Sequence, residues 1–277
     1  MLKREDIRIR DPFILVDEVQ KCYYMYGSTA LTENGVTPPQ SFSVYKTKDL
    51  EHFEEPIVVL DSADDGIWAD KDYWAPEVHY YNGKYYLFGT MKGKNKCRGT
   101  LIFVADRPEG PFRNLSKIPV TPADWECLDG TLWIENGKPY MVFCHEWLQV
   151  GNGEMCAVEL SEDLSAPVGD AFLLFRATDE PYVTHLNGHP NGYVTDGPFL
   201  YREDGVLKMI WSSFSEGRYV VLEAESDSLR GVWKQNGSRF SFDGGHAMLF
   251  RRLDGRRMIS LHSPNQAPKE RPFFYEY

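Results

Sequence analysis

Residues 129–146 read DGTLWIENGKPYMVFCHE, and the plan of this stretch decides the fold. An acidic residue and a glycine lead into a short apolar strand. An Asn-Gly pair then makes the kind of turn that joins two antiparallel strands, and a second apolar strand follows. The plan returns in DPFILVDEVQKCYYMYGST from Asp11, APEVHYYNGKYYLFGTM from Ala75, DGPFLYREDGVLKMIWSS from Asp196 and GGHAMLFRRLDGRRMISLHS from Gly244. Five copies of one hairpin are an internal repeat, and a repeat governs the whole architecture.

Four copies are followed by a second unit: FSVYKTKDLEHFEE from Phe42, LIFVADRPEGPFRN from Leu101, CAVELSEDLSAPVG from Cys156 and VVLEAESDSLRGVW from Val220. Each is an apolar run, a charged turn and a short return, so hairpin plus hairpin makes a four-stranded sheet. Aligned on Pro12, Pro76, Gly130, Gly197 and Gly245, the five units recur at blade-sized intervals with no helical periodicity between them. The expected fold class is all-β, a five-bladed β-propeller of four-stranded antiparallel blades, with residues 1–277 as one domain. The fifth copy stops short near PFFYEY, so a strand around Ile7 to Arg10 is expected to complete it and close the ring. A two-sheet sandwich also uses many short strands, but five hairpin pairs favour the propeller.

Composition agrees. Of 277 residues, 42% are apolar and 14% aromatic, with 23 Gly and 17 Pro, which is strand-and-turn chemistry and not disorder. Thirty basic against 41 acidic residues give a net charge of −11, a field that repels nucleic acid and anionic membranes. Cys22, Cys97, Cys127, Cys144 and Cys156 are odd in number and lack zinc-ligand spacing, so they read as reduced thiols. The start, MLKREDIRIRDP, carries charges where a signal peptide has its apolar run, and no apolar stretch is long enough to span a bilayer. These features lead to the expectation of a cytoplasmic protein.

In a propeller the first strand of each blade lines the central channel, so residues at one repeat position meet around the axis. Three of the five copies carry aspartate there: Asp11, Asp129 and Asp196. Their mutual repulsion should raise at least one pKa, letting one act as an acid while another stays a base. A lone Asp before Gly or Pro commonly makes only an Asx-turn; three at one position favour chemistry. The acidic run DSADDG at residues 61–66 reads as a solvated turn, and no GxSxG or Walker loop supports serine-nucleophile or nucleotide chemistry.

RDPFIL at Arg10–Leu15, WAPEV at Trp74–Val78, LDGTLWIENGKPYMV at Leu128–Val142, DGPFLYR at Asp196–Arg202 and GGHAMLF at Gly244–Phe250 resemble glycoside hydrolase family 43. The resemblance runs through nearly the whole chain and implies a five-bladed propeller hydrolysing α-L-arabinofuranosides or β-D-xylosides with inversion. Small oligosaccharides are then the expected substrates. By the same resemblance Asp11 matches the general base and Asp129 the carboxylate that holds and tunes the acid. Asp196 falls where the family has a glutamate in an EGP motif; here the motif is DGP. A side chain one methylene shorter has to be brought closer, since about 1 Å of misplacement can cost on the order of a hundredfold in rate. Either Asp196, in register, is the acid, or Glu146 or Glu77 replaces it.

Trp74, Trp147 and Trp211 stand where a sugar could stack or blades could pack. Glu77, His145 and Glu146 are either hydrogen-bonded among themselves or directed at sugar hydroxyls. His246 matches a histidine beside a central calcium or other ion in some family members, so no cofactor is required but a structural ion on the axis is an open expectation. Two rivals stand beside hydrolysis. Phosphorolysis would need clustered cations near the acids, for which Arg10 and Arg202 are the candidates. A carbohydrate-binding propeller without catalysis would explain DGP.

Overall fold

The computed structural model describes residues 1–29, 40–63, 67–240 and 243–277. Its hairpins follow from the turn chemistry. Asn82-Gly83, Asn136-Gly137 and Asp204-Gly205 all take positive φ at both residues, as two-residue turns matched to the twist of antiparallel strands require. They set the registers Tyr81 to Lys84, Glu135 to Lys138 and Glu203 to Val206.

Successive hairpins build five antiparallel sheets. The second blade comprises Lys71–Tyr81, Lys84–Lys92, Gly99–Ala105 and Arg113–Asn114. The third comprises Cys127–Glu135, Lys138–His145, Glu154–Leu160 and Pro167–Arg176, and the fourth Asp196–Glu203, Val206–Ser215, Arg218–Ser226 and Lys234–Phe240. In the first, Arg10–Asp17, Cys22–Ser28 and Ser41–Thr47 are followed by two outer pieces, His52–Phe53 and Ile57–Asp61, both on Ser41–Thr47. Gly245–Arg251, Arg257–Ser263 and Arg271–Glu276 form the fifth. The five inner strands pack in cyclic order, and Gly245–Arg251 against Arg10–Asp17 closes the ring. The expected five-bladed propeller is the observed fold.

Closure differs from the expectation in one respect. No strand forms at Ile7 to Ile9, and Arg10 instead opens the inner strand of the first blade. Leu2–Lys3 pairs with His52–Phe53, also in the first blade. The reason lies in Ile7 and Ile9, which are buried in the core shared by the first, second and fifth blades. Ile9 lies so close over the bare backbone of Gly27 that a Cβ there would meet its Cδ1 at 2.5 Å. The segment is a packed apolar plug and not a ladder partner. The turn before it, Arg4–Asp6, also meets the fifth blade, Arg271 Nε donating to the Glu5 carbonyl at 2.7 Å.

Every inner strand carries the same irregularity. Arg10 pairs with Ser28 but Phe13 with Tyr26, and the same slip separates Trp74/Glu77, Leu128/Thr131, Asp196/Phe199 and Gly245/Met248. One extra residue on the inner strand is a β-bulge, a device that re-aims side chains. These bulges define the true repeat alignment and correct the one read from sequence. Pro12, Pro76 and Gly130 correspond to Pro198 and Ala247, not to Gly197 and Gly245. Of the acidic run at 61–66, residues 64–66 lie outside the described residues.

Replacing Ile9 by Ala should lower unfolding free energy by about 2–5 kcal/mol, the usual cost of emptying a buried isoleucine site. Urea denaturation measures it; a loss below about 0.5 kcal/mol would mean that the plug is not part of the folded core.

Candidate active site

At each bulge the first extra residue adopts left-handed φ: Asp11 at 55°, Ala75 at 43°, Asp129 at 58°, Gly197 at 48° and His246 at 53°. A non-glycine residue there is strained by roughly 1–3 kcal/mol, so the surroundings must hold it. They do so by cross-blade hydrogen bonds. Ala75 N–H donates to Ser28 Oγ at 2.7 Å, Asp129 N–H to Thr90 Oγ1 at 2.8 Å, His246 N–H to Ser212 Oγ at 2.8 Å and Asp11 N–H to His262 Nδ1 at 3.2 Å. Gly197 N–H donates to Asp129 Oδ2 at 3.0 Å.

Two layers of side chains result. Asp11, Asp129 and His246 share the bulge position and form the floor. Arg10, Trp74, Leu128 and Asp196 share the preceding position and, with that floor, line a cavity of about 480 Å³. Asp196 is therefore one repeat position away from the other two aspartates, a correction to the alignment that put all three in register. All three nevertheless converge on His246, whose Nδ1 lies 3.2 Å from Asp11 Oδ1 and 3.8 Å from both Asp129 Oδ2 and Asp196 Oδ1. Ser28 Oγ donates to Asp11 Oδ2 at 2.6 Å, and Tyr219 OH to Asp196 Oδ2 at 2.7 Å.

The three carboxyls have different electrostatics. Burial pushes the Asp11 carboxyl up, but His246, His262, Arg10 and the Ser28 hydrogen bond together outweigh it and hold the group below its ordinary range. Burial, with the charges of Asp11 and Glu77, raises Asp129 to about 6. Burial and then the Asp129 charge push Asp196 well above the carboxylate range. Burial lowers His262 to about 4, so near neutral pH its unprotonated Nδ1 accepts the Asp11 N–H while Nε2 faces Asn265 Oδ1 at 3.2 Å.

One wall is Trp74, with the Arg98 guanidinium 4.3 Å from its ring centre. Arg98 is ion-paired with both Asp72 and Glu146. Glu146 and Trp147 line the cavity, and burial raises the Glu146 pKa despite Arg98. Arg8 and Arg10 flank the buried Glu270 at the rim.

Three residues expected to touch substrate stand elsewhere. Trp211 is fully buried between blades, packed on Phe175. Glu77 lies on the inner strand beyond the bulge and pairs with His79 Nε2 at 2.9 Å. His145 is stacked on Trp125 and bonded to Glu154 and Gln149. Arg202, a phosphate-site candidate, pairs with Glu135 and does not line the cavity. Ser28 and Tyr219 escaped sequence reading, because their facing depends on strand register; Ser28 is the cross-strand partner of Arg10.

Asp129, Asp196 and His246 offer one donor atom each within 4.8 Å of one another. Calcium takes six to eight oxygen ligands, whereas this set supplies two carboxylates and a nitrogen. Both carboxylates already accept hydrogen bonds, from Gly197 N–H and Tyr219 OH. These side chains do not by themselves build a calcium site.

A propeller whose bulged inner strands bring three carboxyls of opposed electrostatics into one cavity is equipped for acid–base chemistry. The glycosyl hydrolases family 43 profile matches residues 6–274, and the chain belongs to that family. The crystal structure of an endo-arabinase from Bacteroides thetaiotaomicron superimposes with a TM-score of 0.91 at 40% identity, covering 100% of this chain and 96% of that one. A thermostable family-43 glycoside hydrolase shares the fold, with a TM-score of 0.82 at 22% identity over 97% and 89% of the two chains. A xylosidase/arabinosidase from Bacteroides ovatus is 32% identical over 105 residues, 35% of this chain and 32% of that protein. Xylosidase/arabinosidase 43A of Humicola insolens is 28% identical over 109 residues, 37% and 32% of the two. The aligned stretches thus span about a third of these two relatives.

Tyr219→Phe removes a donor that favours the ionised form of Asp196, so the Asp196 carboxyl should titrate at still higher pH. Carbon-13 carboxyl NMR, assigned with Asp196→Asn, would show it; an unchanged or lower titration point contradicts the hydrogen bond.

Proposed function

We propose that the protein hydrolyses arabinofuranosyl or xylosyl linkages in short oligosaccharides with inversion at the anomeric carbon. The observation that carries this reading is the opposed electrostatics of Asp11 and Asp196 across His246: one carboxyl held low, the other pushed high. Asp11 as base takes a proton from water as the water oxygen attacks the anomeric carbon; the glycosidic C–O bond breaks, and Asp196 protonates the departing oxygen. Asp129 keeps its neighbour protonated by its own charge.

The DGP motif fits this role because Asp196 stands in the layer above the bulge, facing the cavity, where a shorter side chain reaches substrate. Glu146, ion-paired with Arg98, is the weaker acid candidate. Likeness to an endo-arabinase at 40% identity favours arabinose over xylose. Five free thiols support action inside the cell on small saccharides; fractionation of the source cells tests the location.

A panel of nitrophenyl arabinofuranoside, xyloside and galactofuranoside tests the reaction. Turnover of the arabinofuranoside is expected; oligosaccharide binding without turnover of any substrate would leave a binding protein. Asp11→Asn should lower kcat by about 10²–10⁴-fold, the usual scale for a general base, with KM within about threefold. Retained kcat would remove Asp11 from the mechanism. We propose that no metal takes part, so prolonged EDTA dialysis should leave kcat within about twofold of the untreated enzyme. A loss restored by calcium would overturn this.

A further inference from the structure

Four of the five bulge N–H groups are accepted by side chains at one place in the repeat: on the second strand of the preceding blade, directly opposite the residue before that blade's own bulge. Ser28 stands opposite Arg10, Thr90 opposite Trp74, Ser212 opposite Asp196 and His262 opposite Gly245. Each latches the next blade. In the third blade the place opposite Leu128 belongs to Cys144. Its buried thiol is directed at Met155 Sδ, 4.0 Å away, and sulfur is a weak acceptor. The N–H it would have latched, that of Gly197, goes to Asp129 Oδ2 instead.

Comparison with the first blade shows what a hydroxyl does at this place. Ala75 N–H donates to Ser28 Oγ, which donates in turn to Asp11 Oδ2. Asp11 thus reaches the next blade through an interposed hydroxyl, whereas Asp129, at the same repeat position, reaches it directly. We propose that Asp129 is itself the latch of the fourth blade, and that the residue at 144 is a positioning residue because it supplies no hydroxyl. The direct bond ties the Asp129 carboxylate to the peptide group immediately after Asp196, so the two carboxyls are held as one unit. A charged acceptor makes this bond stronger than a neutral latch, and it satisfies a buried N–H that would otherwise be costly. The inference rests on the reading of Asp129 and Asp196 as parts of the hydrolytic site.

Cys144→Ser puts a hydroxyl at the latch place opposite Leu128 with almost no change in volume. The expected result is a kcat lowered roughly tenfold, the scale of a sub-ångström displacement of reacting groups, with KM within twofold and a Tm equal to or above that of the parent. Cys144→Ala, which adds no acceptor, controls for packing: its Tm should fall while its kcat stays well above that of Cys144→Ser. Equal kcat in the serine variant and the parent would overturn the inference, as would equal kcat loss in the serine and alanine variants. Asp129→Asn separates this from the underlying reading. If that variant keeps full kcat, the hydrolytic assignment of Asp129 fails. If it loses activity while Cys144→Ser does not, only the latch inference fails.

Discussion

The structure depends on a backbone constraint: at one shared repeat position each of the five inner strands holds a residue in a left-handed conformation, accommodated by a bulge. A continuous strand would alternate its side chains regularly between its two faces. The bulge breaks that alternation at one level of the channel, so that residues at two consecutive repeat positions line the same cavity. The strain is met by N–H bonds to the neighbouring blade, and those bonds orient the carboxyls. Fold stability and site geometry are therefore carried by the same contacts, Ser28 being the clearest case, since it latches Ala75 and aims Asp11 with a single hydroxyl.

Layering also explains why three similar carboxyls differ. Asp11 sits beside the cationic Arg10 and receives the Ser28 hydroxyl, whereas Asp196, half-buried, meets the charge of Asp129. Asp129 stands between them, with Glu77 from further along the channel adding to its elevation. Identical chemistry is thus sorted by position around the ring, with no residue change needed.

Hairpins, blade number and ring order were legible in the sequence because Asn-Gly and Asp-Gly turns punctuate apolar strands of matching length. The bulges were not, because no residue type marks them: Asp, Ala, Gly and His all occupy the left-handed place. DPF and DGP look equivalent as text, yet Asp11 is the bulge residue and Asp196 the one before it. Trp211 shows the same limit. Its place opposite the bulge turns the indole into the blade interface beside Phe175, while Ser212, its neighbour, reaches the next inner strand. Facing is set by register, and register depends on long-range pairing that local pattern does not record.

Among the described residues, no blade borrows a strand from a distant part of the chain. Each sheet is built from one contiguous stretch of chain, so a blade can pair its own strands before the ring closes. The seam between the last blade and the first is then the final surface to be buried, sealed by two isoleucines and the inner strands and not by an exchanged strand. The ring is a closed chain of docked sheets, and the joint between its last and first members runs alongside Asp11.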